Sequence, residues 1–236
     1  MHFSLIAPAP GQERAAAHEW AQGAYEQHQW LWRFLPAPPG SARQFVFRRR
    51  DDDGLPRFYV VSRDRPESPS PHWHVSSKPY APKLRAGDDL HFELRANPVV
   101  TVRNGDGRAA RHDVVMQEKT RLLRERGLAR WADWAAAERP SLADLVQRCG
   151  TDWLLARAGR LGVAFDETSL RADGYVQHRG KGGALRLSTI DFSGRLRVVE
   201  PASLLQALHI GVGHAKAFGC GLLLVRPVVD NRDDDA

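Results

Sequence analysis

A tyrosine and a histidine stand three residues apart in the first predicted helix and are the pair best suited to chemistry. Tyr25 and His28 project from one side of that helix, since residues three apart are neighbours on its surface. An imidazole titrates near neutrality and can accept or donate a proton. Residue types and spacing alone favour the interpretation that both are half-buried packing residues, because isolated histidines and tyrosines are common at such positions. They lie beside the apolar stripe of the helix, which comprises Trp20, Ala24, Gln27, Leu31, Phe34 and Leu35.

The second feature is a glycine-rich loop, GVGHAKAFGCG, at residues 211–221. It follows a predicted helix over 201–210 and precedes a predicted strand over 222–225. A dinucleotide fingerprint or a phosphate-binding loop would follow a strand and open a helix, so this order excludes both. The loop has two interpretations. It is a helix cap with a tight turn, or its glycines let a phosphate approach the backbone amides and a lysine. The residues concerned are Gly213, Lys216, Gly219 and Gly221.

A third cluster surrounds the predicted turn of a β-hairpin at residues 179–183. Three glycines in this turn are accompanied by basic and polar residues, namely Arg171, Gln177, His178, Arg179, Lys181 and Arg186. A glycine-rich loop with arginines can enter a groove or straddle phosphates. A solvated hairpin tip would have the same composition, and composition alone does not separate the two. A further basic set in the helical region is interleaved with glutamates and is interpreted as a solvated face: Lys119, Arg121, Arg124, Arg126 and Arg130.

No strong metal-binding motif accompanies these residues. His72 and His74 place two imidazoles on one face of a predicted strand, and His91 and His112 could lie nearby. A zinc site requires three or four ligands at defined spacing, and neither Cys-x-x-Cys nor His-Glu-x-x-His occurs. We therefore expect no metal and no cofactor.

The amino-acid composition indicates which kind of partner the protein binds and in which cellular compartment it lies. The net charge of +6 comes mostly from arginine, whose planar fork suits phosphate, although a GC-rich coding bias would also raise the arginine count. Two cysteines, Cys149 and Cys220, are too few for a disulfide framework and suit a reducing compartment. The sequence shows neither a signal-peptide pattern nor an apolar stretch of membrane-spanning length. We expect a cytoplasmic protein without a membrane partner.

The order of elements predicts an α+β fold of two tandem ferredoxin-like (RRM-like) domains with antiparallel sheets. The first domain, 1–87, carries the Tyr25/His28 helix, and the second, 88–236, carries the basic hairpin and the glycine loop. In the first domain a loop replaces the second helix, and the predicted elements are strand 2–7, helix 13–35, and strands 44–48, 57–62 and 72–79. The second is predicted to contain strand 90–95, a helical region over 115–162 broken at Pro140 and Gly150, the hairpin, a helix and a last strand.

Four stretches along the chain together resemble a known family. They are AYEQHQWLWRFLP (24–36), LHFELRANPVVTV (90–102), STIDFSGRL (188–196) and GVGHAKAFGCGLLLV (211–225). The set resembles the CRISPR-associated RAMP ribonucleases, and most closely the crRNA-processing endoribonucleases of type I-E systems, the family of CasE subunits of Cascade. The similarity spans nearly the whole chain.

This resemblance implies a metal-independent endoribonuclease that cuts CRISPR precursor RNA within the repeat, beside its stem-loop. The RNA 2′-hydroxyl attacks the adjacent phosphate, leaving a 2′,3′-cyclic phosphate and a 5′-hydroxyl. His28 would transfer a proton, Tyr25 would orient the 2′-hydroxyl or assist, and Arg33 or Lys216 would stabilise the developing charge. The basic hairpin would grip the repeat RNA hairpin, and the protein would stay bound with the other Cascade subunits.

Two alternatives remain open from the sequence. A non-catalytic RNA-binding RAMP subunit would need neither Tyr25 nor His28. A metal-dependent phosphodiesterase would use His72, His74 and an aspartate instead.

Overall fold

The computed structural model describes residues 1–20, 29–38, 40–52, 54–103, 107, 109–180 and 186–228. The contacts within the chain group it into two compact units. Unit 1 comprises 1–83, 177–187 and 205–223, and unit 2 comprises 84–176, 188–204 and 224–236. Two later segments of the chain thus pack with the first 83 residues. Within the described ranges, no helix is long and apolar enough to cross a membrane.

In the first 83 residues of unit 1, the described ranges contain one helix, a short helical stretch and a four-stranded sheet. Its elements are β1 (His2–Pro8), α1 (Glu13–Trp20), β2 (Phe45–Asp52), β3 (Leu55–Ser62) and β4 (Trp73–Pro79), with residues 29–32 also helical. The strand order is β2-β3-β1-β4, and every neighbouring pair is antiparallel. This is the ferredoxin-like order with a loop between β3 and β4 in place of the second helix, as predicted.

An aromatic cluster forms the core against one face of this sheet. Trp20, Leu31, Phe34 and Leu35 of the predicted stripe are all buried, whereas Ala24 and Gln27 lie outside the described residues. Trp30 was not in the predicted stripe but is also buried, at 7% exposed. Edge-on ring packing explains its place, since its ring centroid lies 5.1 Å from that of Trp20 and 4.5 Å from that of Trp73.

Unit 2 is built around a second antiparallel sheet. Its strands are β5 (Asp89–Ala96), β6 (Val99–Arg103), β7 (Ala109–Asp113), β8 (Val163–Phe165), β9 (Arg171–Arg179), β10 (Arg186–Val198) and β11 (Leu223–Pro227). Its helices are α2 (Val114–Glu125), α3 (Leu142–Leu155), α4 (Ala158–Leu161) and α5 (Pro201–Ile210). The main sheet has the order β11-β5-β10-β8, with β9 also paired to β10. The order of β11, β5, β10 and β9 repeats the ferredoxin-like pattern, so the predicted fold class is confirmed. The end of β9, the start of β10, residues 205–210 of α5 and Leu223 of β11 belong to segments grouped with unit 1.

The predicted helical region over 115–162 is interrupted earlier than expected, since helix α2 ends at Glu125 and helix α3 begins at Leu142, just after Pro140. The predicted break at Gly150 is wrong. Helix α3 starts after Ser141, whose hydroxyl accepts a hydrogen bond from the Asp144 amide at 3.1 Å. It continues through Gly150, because that glycine allows the helix to pack closely on the sheet. A Cβ at Gly150 would lie 2.8 Å from the Ala172 Cβ and 3.2 Å from the Phe192 ring. Gly150 therefore serves tight helix–sheet packing.

Strands β6 and β7 form a separate two-stranded hairpin that the sequence analysis did not predict. The chain turns out of β5 at Asn97 and Pro98. The Asn97 side-chain amide donates to the Ser188 carbonyl at 2.7 Å, and the Pro98 carbonyl accepts from the Val114 amide at 3.2 Å. These two bonds hold the base of the hairpin.

Candidate nucleic-acid interface and catalytic residues

The glycine loop joins α5 to β11, as predicted, and its backbone requires glycine. Gly211, Gly213, Gly219 and Gly221 all have positive φ, between 76° and 91°. Ala215 adopts the same left-handed region, with φ 56°. L-residues with a side chain rarely adopt this conformation, so the loop's path depends on its glycines.

The loop packs closely on strand β2 within unit 1. A Cβ at Gly211 would lie 2.9 Å from the Val46 side chain, and one at Gly219 would lie 3.2 Å from the Phe47 ring. The Val212 amide also donates to the Gly221 carbonyl at 2.8 Å, which closes the loop at its base. The structural interpretation of the loop therefore explains Gly211 and Gly219, which are both buried.

Gly219→Ala is expected to destabilise the protein by about 1 to 2 kcal/mol, because the new Cβ would occupy a left-handed position and press on Phe47. Chemical denaturation of the variant and of its control measures this. Gly159→Ala is the matched control, because Gly159 lies in helix α4 with nothing within 4 Å of an added Cβ. Equal midpoints for Gly219→Ala and wild type would show that the loop does not depend on this contact.

Lys216 opens a short 3₁₀ turn, Lys216–Phe218, in the middle of the loop. Its side chain is half-buried, and its Cγ would lie 3.2 Å from a Cβ placed on Gly221. The stem of the lysine thus lies over the bare Gly221 backbone. Such packing limits the directions in which the ammonium group can point.

The basic hairpin is present, and its described side chains face solvent. Arg171, Gln177 and Arg179 on β9 and Arg186 on β10 are all exposed. Gln177, Arg179 and Arg186 belong to segments grouped with unit 1, whereas Arg171 belongs to unit 2. Lys181, at the predicted tip, lies outside the described residues. Exposed guanidinium groups on paired strands are available to phosphates.

The solvated-face interpretation of the helical basic set is confirmed for most of its members. Arg121 bonds Glu118 and Glu125, and Arg130 bonds Asp133 at 2.9 Å. Lys119 lies over the Trp131 ring at 5.1 Å, and Arg126 lies over the Trp134 ring at 4.3 Å. Local acidic and aromatic groups therefore already engage these cations.

The two proposed catalytic residues, Tyr25 and His28, lie outside the described residues. The described residues on either side of them are held in the core, since Trp20 and Trp30 are each 7% exposed. Arg33 follows the helical residues 29–32 and is exposed, with its amide bonded to the Trp30 carbonyl at 3.1 Å.

A polar cluster around Glu19 was missed by the sequence analysis, which considered His72 only as a metal ligand. One Glu19 carboxylate oxygen lies 3.1 Å from His72 Nδ1, and the other accepts from the Trp73 indole N–H at 2.8 Å. Burial raises the pKa of Glu19, but hydrogen bonds from His72 and Trp73 and the charge of Arg33 outweigh it, so that the pKa falls below its ordinary value. The partners lie 53 and 54 positions apart in the chain, and no local pattern reveals them.

His72 and His74 do not lie in a recognisable metal centre. His72 precedes β4, and its Nδ1 faces Glu19, while His74 is exposed. Within the described part of the chain, no group of three or more His, Cys, Asp or Glu residues is arranged to hold a metal ion.

Comparison with known proteins places the chain in a family. The family model described as "CRISPR associated protein" matches residues 1–227, and the chain belongs to this family. The Cascade subunit CasE of Escherichia coli is 26% identical over 216 residues, covering 90% of this chain and 96% of that protein. The CRISPR-associated endoribonuclease Cse3 of Thermus thermophilus is 29% identical over 224 residues, covering 91% of this chain and 94% of that protein.

The fold agrees with a solved structure of the same kind. A structure of the CRISPR endoribonuclease Cse3 bound to a 19-nucleotide RNA matches with a TM-score of 0.68 and 24% identity, covering 96% of this chain and 98% of that one. The chain therefore shares the fold of that solved structure.

Proposed function

We propose that this protein is a metal-independent endoribonuclease that cleaves CRISPR precursor RNA within the repeat, beside its stem-loop. The observation that carries the proposal is the family match over residues 1–227, whose relatives include a protein named as an endoribonuclease. The fold supports it, since a Cse3 structure with the same arrangement holds RNA.

The reaction is a transesterification in which the RNA supplies its own nucleophile. A base removes the proton of the 2′-hydroxyl, the 2′-oxygen bonds to phosphorus, and the bond from phosphorus to the 5′-oxygen breaks. In our proposal His28 transfers one of the protons and Tyr25 orients the 2′-hydroxyl. Arg33 or Lys216 stabilises the charge that develops on the phosphate. The products carry a 2′,3′-cyclic phosphate and a 5′-hydroxyl.

The RNA is held by the basic hairpin and the glycine loop. Double-stranded RNA has a deep, narrow major groove, so the grip relies on phosphates and shape. The exposed hairpin side chains of Arg171, Gln177, Arg179 and Arg186 support this role, and Lys181 belongs to the same stretch of sequence. In the loop, half-buried Gly213 and the ammonium group of Lys216 are proposed to meet phosphate directly. Gly219 and Gly221 are buried, and their proposed part in RNA binding is to set the path of the loop that presents these groups.

Incubation with a repeat RNA hairpin in excess EDTA tests the proposal. Products with 2′,3′-cyclic phosphate and 5′-hydroxyl ends support it. Tight binding without cleavage would favour the non-catalytic RNA-binding subunit, and cleavage only after added metal would favour a metal-dependent phosphodiesterase.

Arg179→Ala combined with Arg186→Ala is expected to weaken RNA binding and flatten its salt dependence. Each lost phosphate contact should reduce the slope of log K against log salt by about 1, because fewer counterions are released. Binding titrations at several salt concentrations measure the slope. Arg130→Ala is the matched control, since that exposed arginine is paired with Asp133 and belongs to the solvated set. An unchanged slope in the double variant would show that these arginines do not contact RNA phosphates and would favour the interpretation of the hairpin as a solvated tip.

We further propose that the protein stays bound to its product as a Cascade subunit in the cytoplasm. Support comes from the E. coli relative, which is named as a Cascade subunit, and from Cys149 and Cys220, which are not joined in a disulfide. The domains 1–87 and 88–236 are proposed as its two ferredoxin-like halves, with segments of the second half completing the packing of the first.

A further inference from the structure

The Glu19 cluster contains a carboxylate–imidazole pair with the features of an acid–base group. Because the Glu19 pKa is lowered, its carboxylate is ionised at neutral pH and can only accept hydrogen bonds. The His72 Nδ1 at 3.1 Å is therefore the donor, which leaves Nε2 as the nitrogen at the other edge of the ring. The His72 side chain keeps 32% of its surface exposed, so the imidazole is accessible.

The surroundings of the pair are rigid. The second Glu19 oxygen is bonded by the indole of Trp73, which is only 3% exposed and packs edge-on against Trp30. The His72 carbonyl accepts from the Ala9 amide at 2.9 Å, which fixes the backbone behind the ring. A fixed carboxylate that orients an imidazole sets its tautomer, as in other acid–base pairs.

The pair also lies in a suitable place. Glu19 is in the last turn of α1, and Arg33 is close enough to lower the Glu19 pKa by its charge. An exposed cation whose charge reaches Glu19 can attract a phosphate toward the Glu19–His72 pair. Transesterification needs two proton transfers, and His28 accounts for only one of them.

We propose that His72, oriented by Glu19, is the general acid that protonates the leaving 5′-oxygen; this rests on the proposed function. As the 2′-oxygen bonds to phosphorus and loses its proton to the base, the bond from phosphorus to the 5′-oxygen breaks. The proton on His72 Nε2 passes to that oxygen, and the neutral imidazole then regains a proton from water. The step involves no oxidation or reduction.

A substrate with a sulfur in place of the bridging 5′-oxygen tests the proposal, because a thiolate leaves without needing a proton. His72→Ala is expected to cut the oxygen substrate about 10²-fold more slowly than wild type under single-turnover conditions. The same variant should cut the sulfur substrate at nearly the wild-type rate. His72→Asn should behave alike, and its side-chain amide can still donate to Glu19, which keeps the test open if the alanine variant folds poorly.

Two further variants complete the test. Glu19→Gln keeps an acceptor for Trp73 and should lose less on the oxygen substrate than His72→Ala does, again with recovery on sulfur. His74→Ala is the matched control, an exposed histidine two residues away that should behave like wild type on both substrates. Equal losses of the His72 variants on both substrates, or no loss on either, would overturn the general-acid role. Wild-type protein that cuts neither substrate would instead refute the proposed function.

Discussion

His28→Ala is expected to lose RNA cleavage while binding the repeat hairpin with nearly wild-type affinity. A positioned acid or base contributes about 10² to 10⁴ in rate, and the rate loss should fall in this range. The loss should be larger if His28 also orients the RNA. The RNA contacts assigned to the hairpin and the glycine loop remain intact in this variant. Single-turnover cleavage and a binding titration on the same RNA separate the two effects.

His18→Ala is the control for this variant, since it removes an exposed imidazole from helix α1. It should cleave and bind like wild type. Wild-type turnover by His28→Ala would exclude His28 from the reaction, and a parallel loss of affinity would assign it to binding.

A single 2′-deoxy substitution immediately upstream of the cut is expected to abolish cleavage at that position. The change removes the nucleophile itself, so no arrangement of protein side chains can compensate for it. Gel analysis of the modified RNA in excess EDTA measures the effect, and affinity should change little because only one hydroxyl is lost. The 2′-deoxy substitution one nucleotide further downstream is the matched control and should be cut normally.

Cleavage of the upstream-modified RNA would require water or another external nucleophile. That result would replace the transesterification with a hydrolysis that needs no divalent metal, because EDTA is present throughout. Together with the protein variants, the modified RNAs distinguish a failure of the chemistry from a failure of the residue assignments.

The fold was largely predictable because its periodic elements carry their own signals. Helix α5 has the predicted bounds of Pro201–Ile210, and β5 alternates apolar and polar residues as predicted. Gly150 misled the prediction, since a glycine in a helix reads as a break when the sheet it packs on is unknown. Whether a glycine ends a helix or allows close packing depends on partners such as Phe192, far away in sequence.

The candidate site was predictable only in part, for a similar reason. The glycine loop and the basic hairpin are local patterns and can be found by reading along the chain. The bond between Glu19 and His72 joins two segments that meet only through the pairing of β1 with β4 and the packing of α1. Such a contact has no sequence signature.

The packing of the glycine loop on β2 has a consequence for folding during synthesis. Val46 and Phe47 leave the ribosome long before their partners Gly211 and Gly219, which belong to the segment 205–223. The packing of unit 1 is therefore completed only after residues 84–176 and 188–204 of unit 2 have been made, and its apolar β2 surface stays uncovered until then. Contacts of such long sequence separation form slowly, and a nascent chain that stalls before residue 205 would leave that surface open to aggregation or to chaperones.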